Sequence, residues 1–271
     1  MDLFESFCAK YPFPLDDFQL EALRLPVAVL NDVQAAAFGE HAFGTGQGVD
    51  ELVCLFVGTG VGGGVITRGT LLQGCTGSAA ELGHITVDPN GPLCRCGNRG
   101  CLEAFAGGWA IARRAREAAA ADPGSNAIVL DLAGGDPEQI ATSTVVKAAG
   151  DGDPRSEQIL REAGQALGIG IASIVNAFNP CMLVLGGGVV DGMPEWIEAA
   201  SQSVRSRALA ANAAAVRVLP AALGSHAGTI GAAAWAAAVL GEAHEPGCSR
   251  GRTPTARSST GRHSEEGHQD D

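Results

Sequence analysis

The chain has 271 residues, 46% of them hydrophobic, and a formal net charge of −12. That is enough apolar material for one large domain or two small ones with a sizeable core, and the acidic balance argues against a general nucleic-acid binder. No apolar run approaches the roughly 18 residues of a membrane helix, and the start Met1-Asp-Leu-Phe-Glu lacks a signal peptide's basic opening.

Residues 1–25 carry little pattern beyond prolines and a short mixed helix expected over 15–25. Residues 27–30 predict a short buried strand ending in Asn31-Asp32, either of which can cap an alanine-rich helix over 33–43. A strand over 52–57, a glycine turn over 58–64, a second strand from Val65-Ile66 and a turn at Arg68-Gly69 into Leu71-Leu72 make an antiparallel meander. After a cysteine-rich segment, 102–121 has helical composition, 122–136 reads as a loop rich in Pro, Gly and Asp, and 137–149 as another helix. Residues 154–178 predict a long amphipathic helix ended by Asn179-Pro180. A strand over 182–185, a turn at 186–188, a helix over 194–209, a strand over 216–219 and a helix over 229–240 follow. The tail over 243–271 has no apolar period and is expected to be disordered. Strands alternating with helices, plus one meander, indicate a mixed α/β architecture.

The most specific stretch is Glu81-Leu-Gly-His84, nine residues, then Cys94-Arg-Cys96-Gly-Asn-Arg-Gly-Cys101-Leu-Glu103. One imidazole and three thiolates complete a tetrahedral zinc set, with Gly97 and Gly100 letting the chain fold back around the ion. Such a closed, soft site has no need of the hard carboxylates of Glu81 and Glu103, which are expected to hydrogen-bond a ligand beside the metal loop. Clustered thiols without a secretion signal read as metal ligands in a reducing cytoplasm. Cys8, Cys54, Cys75, Cys181 and Cys248 are scattered and read as buried hydrophobes or incidental surface thiols.

The string Gly58-Thr59-Gly60-Val61-Gly62-Gly63 matches G-x-G-x-x-G, but a strand follows it rather than the helix a dinucleotide site needs. Either it is a tight turn needing positive φ, or its bare amides and the Thr59 hydroxyl wrap a phosphate, the reading favoured by five glycines in seven residues. Asn31-Asp32 reads as a helix cap, or as a carboxylate at a strand end taking a proton from an alcohol. Gly186-Gly187-Gly188 reads equally as a plain strand-to-helix turn or as a second nucleotide-contacting turn.

Together these motifs resemble the ROK family of sugar kinases and sugar-responsive repressors, especially its bacterial glucokinases. The match extends over about residues 26–242. It implies an α/β, actin-like and ribonuclease-H-like fold of two lobes, with ATP and sugar in the cleft between them. Asp32 then looks like the catalytic base, and Asn31, Asp32, Glu81, His84 and Glu103 like sugar contacts. Gly58, Thr59, Gly60, Gly62 and Gly63 would face the ATP phosphates and Gly186 and Gly187 the adenosine. His84, Cys94, Cys96 and Cys101 match the family's zinc ligands. ATP, Mg2+ and a structural Zn2+ are the implied cofactors, and a hexose, glucose or an amino sugar, the implied partner. Neither a membrane nor nucleic acid is expected, and the family's frequent dimers make a homodimer an expectation that no residue here establishes.

One family motif is absent: an Asp-x-Gly-Gly-Thr turn that holds ATP phosphates and helps place magnesium. Residues 1–31 are therefore expected to be a remnant of an N-terminal small lobe that is largely missing. Residues 32–242 would be the large lobe with its zinc loop over 81–103. The expected function is an ATP-dependent hexose kinase acting on a sugar 6-hydroxyl, inactive as written if that phosphate motif is indispensable. The alternatives are a sugar-responsive regulator lacking its helix-turn-helix and a non-catalytic sugar-binding remnant.

Overall fold

The computed structural model describes residues 29–242. The helix expected over 15–25, most of the 1–31 segment and the 243–271 tail lie outside them. Helix α1 (Asp32–Phe43) leads into the strands β1 (Leu52–Val57), β2 (Val61–Thr67) and β3 (Thr70–Leu71). After the cysteine segment come α2 (Leu102–Ala106), α3 (Gly108–Ala121), α4 (Ala127–Leu132), α5 (Thr142–Gly150) and α6 (Pro154–Phe178). Strand β4 (Met182–Gly186), α7 (Gly188–Asp191), α8 (Glu195–Arg207), α9 (Ala210–Ala215), β5 (Arg217–Pro220) and α10 (Ala227–Glu242) complete the order.

The sheet runs β3-β2-β1-β4-β5. The meander pairs are antiparallel, whereas β4 lies parallel to both β1 and β5. Alternation along the central strands sorts side chains into two cores. Val53, Leu55 and Val57 join Leu183 and Leu185 on the face covered by α2, α3, α5, α6 and α8. Leu52, Cys54, Met182 and Val184 point the other way, toward α1 and the Trp235 side chain of α10. Strands buried on both faces read as continuous apolar runs, as β1 and β4 do.

Helix α6 forms over the span its sequence predicts. Asp153 accepts hydrogen bonds from the Arg155 and Ser156 amides, Pro154 opens the first turn, and Asn179 in the left-handed region (φ 45°) ends it. Other elements differ from expectation. Val29 and Leu30 are coil, with Val29 87% exposed, so no buried strand forms there, while Val27 and Ala28 lie outside the described residues. The helix over 102–121 breaks at Gly107, whose extended backbone (ψ 143°) lets Gly108 N–H reach the Gly58 carbonyl. Within the expected loop over 122–136, α4 forms because Val129 is buried and Ile128, Leu130 and Leu132 pack on the core. The helix expected from 137 begins only at Thr142: a short 3-10 turn at Pro137–Gln139 gives way to extended chain where buried Ile140 accepts from Arg116 Nε. Helix α9 had no distinct sequence signal.

Helices α1 and α10 cross at Gly39 and Gly231. A methyl on Gly39 would come within 2.7 Å of the Ala227 carbonyl oxygen, and one on Gly231 would overlap that of Ala35. The closeness brings Phe38 and Trp235 edge to face at 5.2 Å. The buried Glu40 carboxylate accepts from the amides of Thr45, Ala222 and Leu223, fixing the segment after β5 against α1. Gly231→Ala should therefore destabilise the fold by about 2 kcal/mol or more through backbone displacement, read as a lower urea midpoint at constant slope.

Candidate active site

Two adjoining cavities open beyond the C-terminal ends of the parallel strands β1 and β4, where α/β sheets bind ligands. The first, of about 460 Å³, is lined by Asn31, Asp32, the 58–63 segment, Glu81, His84, Glu103 and Gly187. It gathers every sugar- and phosphate-side residue the sequence singled out, while Cys94, Cys96, Cys101 and Gly186 lie outside its lining.

Each arrives by a local cause. Asn31 caps α1, its Oδ1 accepting from Val33 N (3.0 Å) and Gln34 N (3.2 Å). Asp32 is the first helical residue and exposed to the cavity, and its Oδ1 also accepts from Val33 N at 2.8 Å. The cap and the cavity carboxylate thus coexist on adjacent residues. Glu81 is exposed at the head of a 3-10 turn, Leu82–His84. Gly83 is required there because any side chain would overlap the Val61 carbonyl. Glu103 lies in the first turn of α2, where the helix dipole favours an anion. Its Oε2 accepts from Val61 N (2.9 Å) and its Oε1 from Trp109 Nε1 (3.1 Å), so protein donors already engage both oxygens.

The glycine turn is shorter than expected and is not a positive-φ turn. Only Gly58, Thr59 and Gly60 connect β1 to β2, and none of the glycines over 58–64 has positive φ. Gly62, Gly63 and Gly64 belong to β2 and are bare for packing: an added methyl would meet Val33 at 2.8 Å, Leu82 at 2.6 Å and the Ala37 side chain, respectively. In the turn, Gly58 N–H donates to Gly60 O, and the carbonyls of Gly58 and Thr59 accept from Gly108 and Trp109. Among the described residues, the Thr59 and Gly60 N–H groups have no protein acceptor.

The second cavity, of about 860 Å³, shares Gly58 and Thr59 with the first. Its walls include Trp109, Arg95, Arg116, Thr142, Lys147 and Gly188. Of these, only Gly188 was flagged from sequence, in the turn after β4; the others form no motif, and three cationic side chains converging in an acidic protein are visible only after folding. Gly187 (φ 96°) lines the first cavity and Gly188 the second, whereas Gly186 is buried inside β4 and lines neither.

His84, Cys94, Cys96 and Cys101 place four ligand atoms within 4.8 Å of one another. Cys96 Sγ lies 3.6 Å from Cys101 Sγ, and Cys94 Sγ lies 3.7 Å from His84 Nδ1. Tetrahedral zinc with ordinary bond lengths sets such edges at about 3.5–3.8 Å, so the donor set fits. Bridges between Thr86 and Cys101 and between Leu93 and Arg99 close the loop. Gly97 (φ 93°) and Gly100 (φ 70°) turn it, and a methyl on Gly100 would overlap the Asp88 carbonyl. Burial pushes the Cys101 thiol up to about 12, while the Asn98 amide holds Cys96 below its ordinary value. A cation at this site would displace the Cys101 proton. Of the scattered cysteines, Cys54 is buried and Cys75 and Cys181 are exposed; Cys8 and Cys248 lie outside the described residues.

The sequence profile described as the ROK family matches residues 9–239. The chain belongs to the ROK family. The glucokinase of Streptomyces coelicolor is 38% identical over 221 residues, 81% of this chain and 70% of that protein. The crystal structure of a ROK family glucokinase from Streptomyces griseus, in complex with glucose and AMPPNP, superposes with a TM-score of 0.69 at 40% identity, covering 82% of this chain and 72% of that one. The xylose repressor of Bacillus subtilis is 29% identical over 78% of this chain and 50% of its own length. The sheet and its flanking helices are accordingly those of the actin-like fold of ROK sugar kinases.

One strained residue stands beside Glu81 in this ROK cleft. Ala80 adopts φ 66°, the left-handed region, while the buried Gln34 amide of α1 donates to the adjoining Ala79 carbonyl at 2.9 Å. Ala80→Gly should stabilise the protein by about 1 kcal/mol by releasing that strain, raising the thermal midpoint.

Proposed function

We propose that this chain acts as an ATP-dependent hexose kinase, with glucose as the first substrate to test, and that Asp32 is the catalytic base. The observation that carries the reading is a shared wall: Gly58 and Thr59 line both an acidic cleft and a cationic cavity. The cleft presents Asp32, Glu81 and Glu103 to a neutral, many-hydroxyl ligand, whose adjacent donors suit carboxylate acceptors. The neighbouring cavity presents Arg95, Arg116 and Lys147 to a polyphosphate. The glucokinase names of the relatives agree with this division, and the cationic cavity favours it over a regulator, which needs no phosphoryl donor.

ATP with its Mg2+ supplies the phosphoryl group; the chain's own residues position and deprotonate. Asn31, Glu81, Glu103 and the Nε2 of His84 orient the sugar so that its 6-hydroxyl lies beside Asp32. That carboxylate accepts the hydroxyl proton as the oxygen attacks, and the Thr59 and Gly60 amides, which have no acceptor among the described residues, face the charge that develops on the phosphoryl oxygens. His84, Cys94, Cys96 and Cys101 would hold a structural Zn2+; His84 Nδ1 faces Cys94 Sγ, so this nitrogen would serve the metal and Nε2 would be free for the sugar. Gly188 gives the nucleotide a bare backbone to approach in the cationic cavity.

Asp32→Asn should lower kcat by about 10²- to 10⁴-fold while leaving sugar affinity within a few-fold, measured by a coupled assay and by calorimetry. An unchanged kcat would refute the base assignment. Chelation of the metal should weaken sugar binding in a protein whose circular dichroism still shows a folded chain. Normal sugar affinity in that metal-free state would break the link between the metal loop and the cleft.

A further inference from the structure

Trp109 belongs to no motif, yet it stands where the two cavities, the cysteine cluster and the glycine turn meet. Its indole packs against Cys94, Cys101 and Ala104. The guanidinium groups of Arg95 and Arg113 lie 4.5 and 5.0 Å from its ring centroid, within cation–π range. Its backbone N–H donates to the Thr59 carbonyl at 2.9 Å, and its Nε1–H to Glu103 Oε1 at 3.1 Å.

We propose that Trp109 is a positioning residue that conveys the state of the His84/Cys94/Cys96/Cys101 cluster to the Glu103 carboxylate, and so to the sugar-side cleft. The physical chain is short. Arg95 lies between Cys94 and Cys96, so any rearrangement of the ligand loop moves a cation stacked on the indole. The side chain packs against the buried cluster of Cys94, Cys101 and Ala104, so the same rearrangement changes the surface that supports it. Among the described residues the indole N–H is one of two donors to Glu103; the other, the Val61 amide, sits at the start of β2. A carboxylate between two fixed donors has its remaining lone pairs aimed, and loss of one donor frees it to rotate. Because the backbone amide of Trp109 also anchors Thr59, one residue sets both the carboxylate and the wall shared by the cavities.

The consequence for sugar affinity rests on the kinase reading, but the tie itself has a separate readout. The chain has three tryptophans, at 109, 196 and 235. In the full-length, metal-loaded, nitrogen-15-labelled protein, Trp109→Phe identifies the Trp109 indole N–H resonance by its disappearance. That resonance should shift on Glu103→Gln and again when the wild-type protein is stripped with a zinc chelator, while those of Trp196 and Trp235 stay in place. A Trp109 resonance unmoved by either treatment would overturn the proposal.

Trp109→Phe keeps an aromatic ring in the same place but removes the N–H donor along with the five-membered ring that carries it. It should weaken glucose binding by about tenfold, as expected for one hydrogen bond to a charged group. In a Glu103→Ala background the same change should cause no further loss, since the indole acts through that carboxylate. Additive losses in the double variant would point to general packing and overturn the positioning role. If the wild-type chain binds none of glucose, mannose, N-acetylglucosamine or N-acetylmannosamine, the kinase reading fails, and the indole resonances alone decide the tie.

Discussion

The Glu103 carboxylate holds together three parts of the molecule that the chain supplies far apart. It receives the Val61 amide from the start of β2 and the Trp109 indole from α3, and it stands two residues after Cys101, the last cysteine of the loop. Two charge-assisted hydrogen bonds in a partly buried place are strong by the standards of side-chain contacts. They explain why a helix over 102–121 breaks at Gly107: the break lets Trp109 turn back toward Glu103 while Gly108 and Trp109 donate to the glycine turn. The glycine turn, the cysteine loop and the helix N-terminus are therefore one unit, and both cavities border it.

The other half of the site depends on how closely α1 approaches the sheet. Gly62 and Gly64 leave room for Val33 and Ala37, and Gly39 and Gly231 let α10 press on α1 from outside. That compression fixes the helix whose first residue is Asp32. Glu40, buried and accepting three backbone amides, adds a polar clamp between α1 and the segment after β5. A burial of this kind is tolerable because the carboxylate is satisfied by hydrogen bonds.

Much of this was legible beforehand, though unevenly. The His84/Cys94/Cys96/Cys101 cluster was the clearest, because thiolates and an imidazole at short loop spacing are what a zinc site requires and few other causes produce that pattern. Helix α6 was equally clear, since Asp153-Pro154 and Asn179-Pro180 mark both ends. The glycine run was legible as important but misread in extent. Glycine removes a side chain whether the visitor is a phosphate or a neighbouring helix, and only the fold shows that Val33, Leu82 and Ala37 are the visitors at 62–64. Helix α4 was hidden because its Gly- and Pro-rich flanks outweighed a short apolar run that gains its stability from the core.

From the residues alone came the family, the grouping of His84 with Cys94, Cys96 and Cys101, and the carboxylates of the cleft, because each depends on a particular functional group at a particular spacing. What tertiary structure decided is what those groups face. Glu103 became an anchor as well as a cleft residue, Gly186 withdrew into β4, and Arg95, Trp109, Arg116 and Lys147 assembled a second cavity. Those outcomes rest on contacts between residues distant in the chain. Local pattern records which groups are available, and only packing brings a donor on α3 to an acceptor on α2.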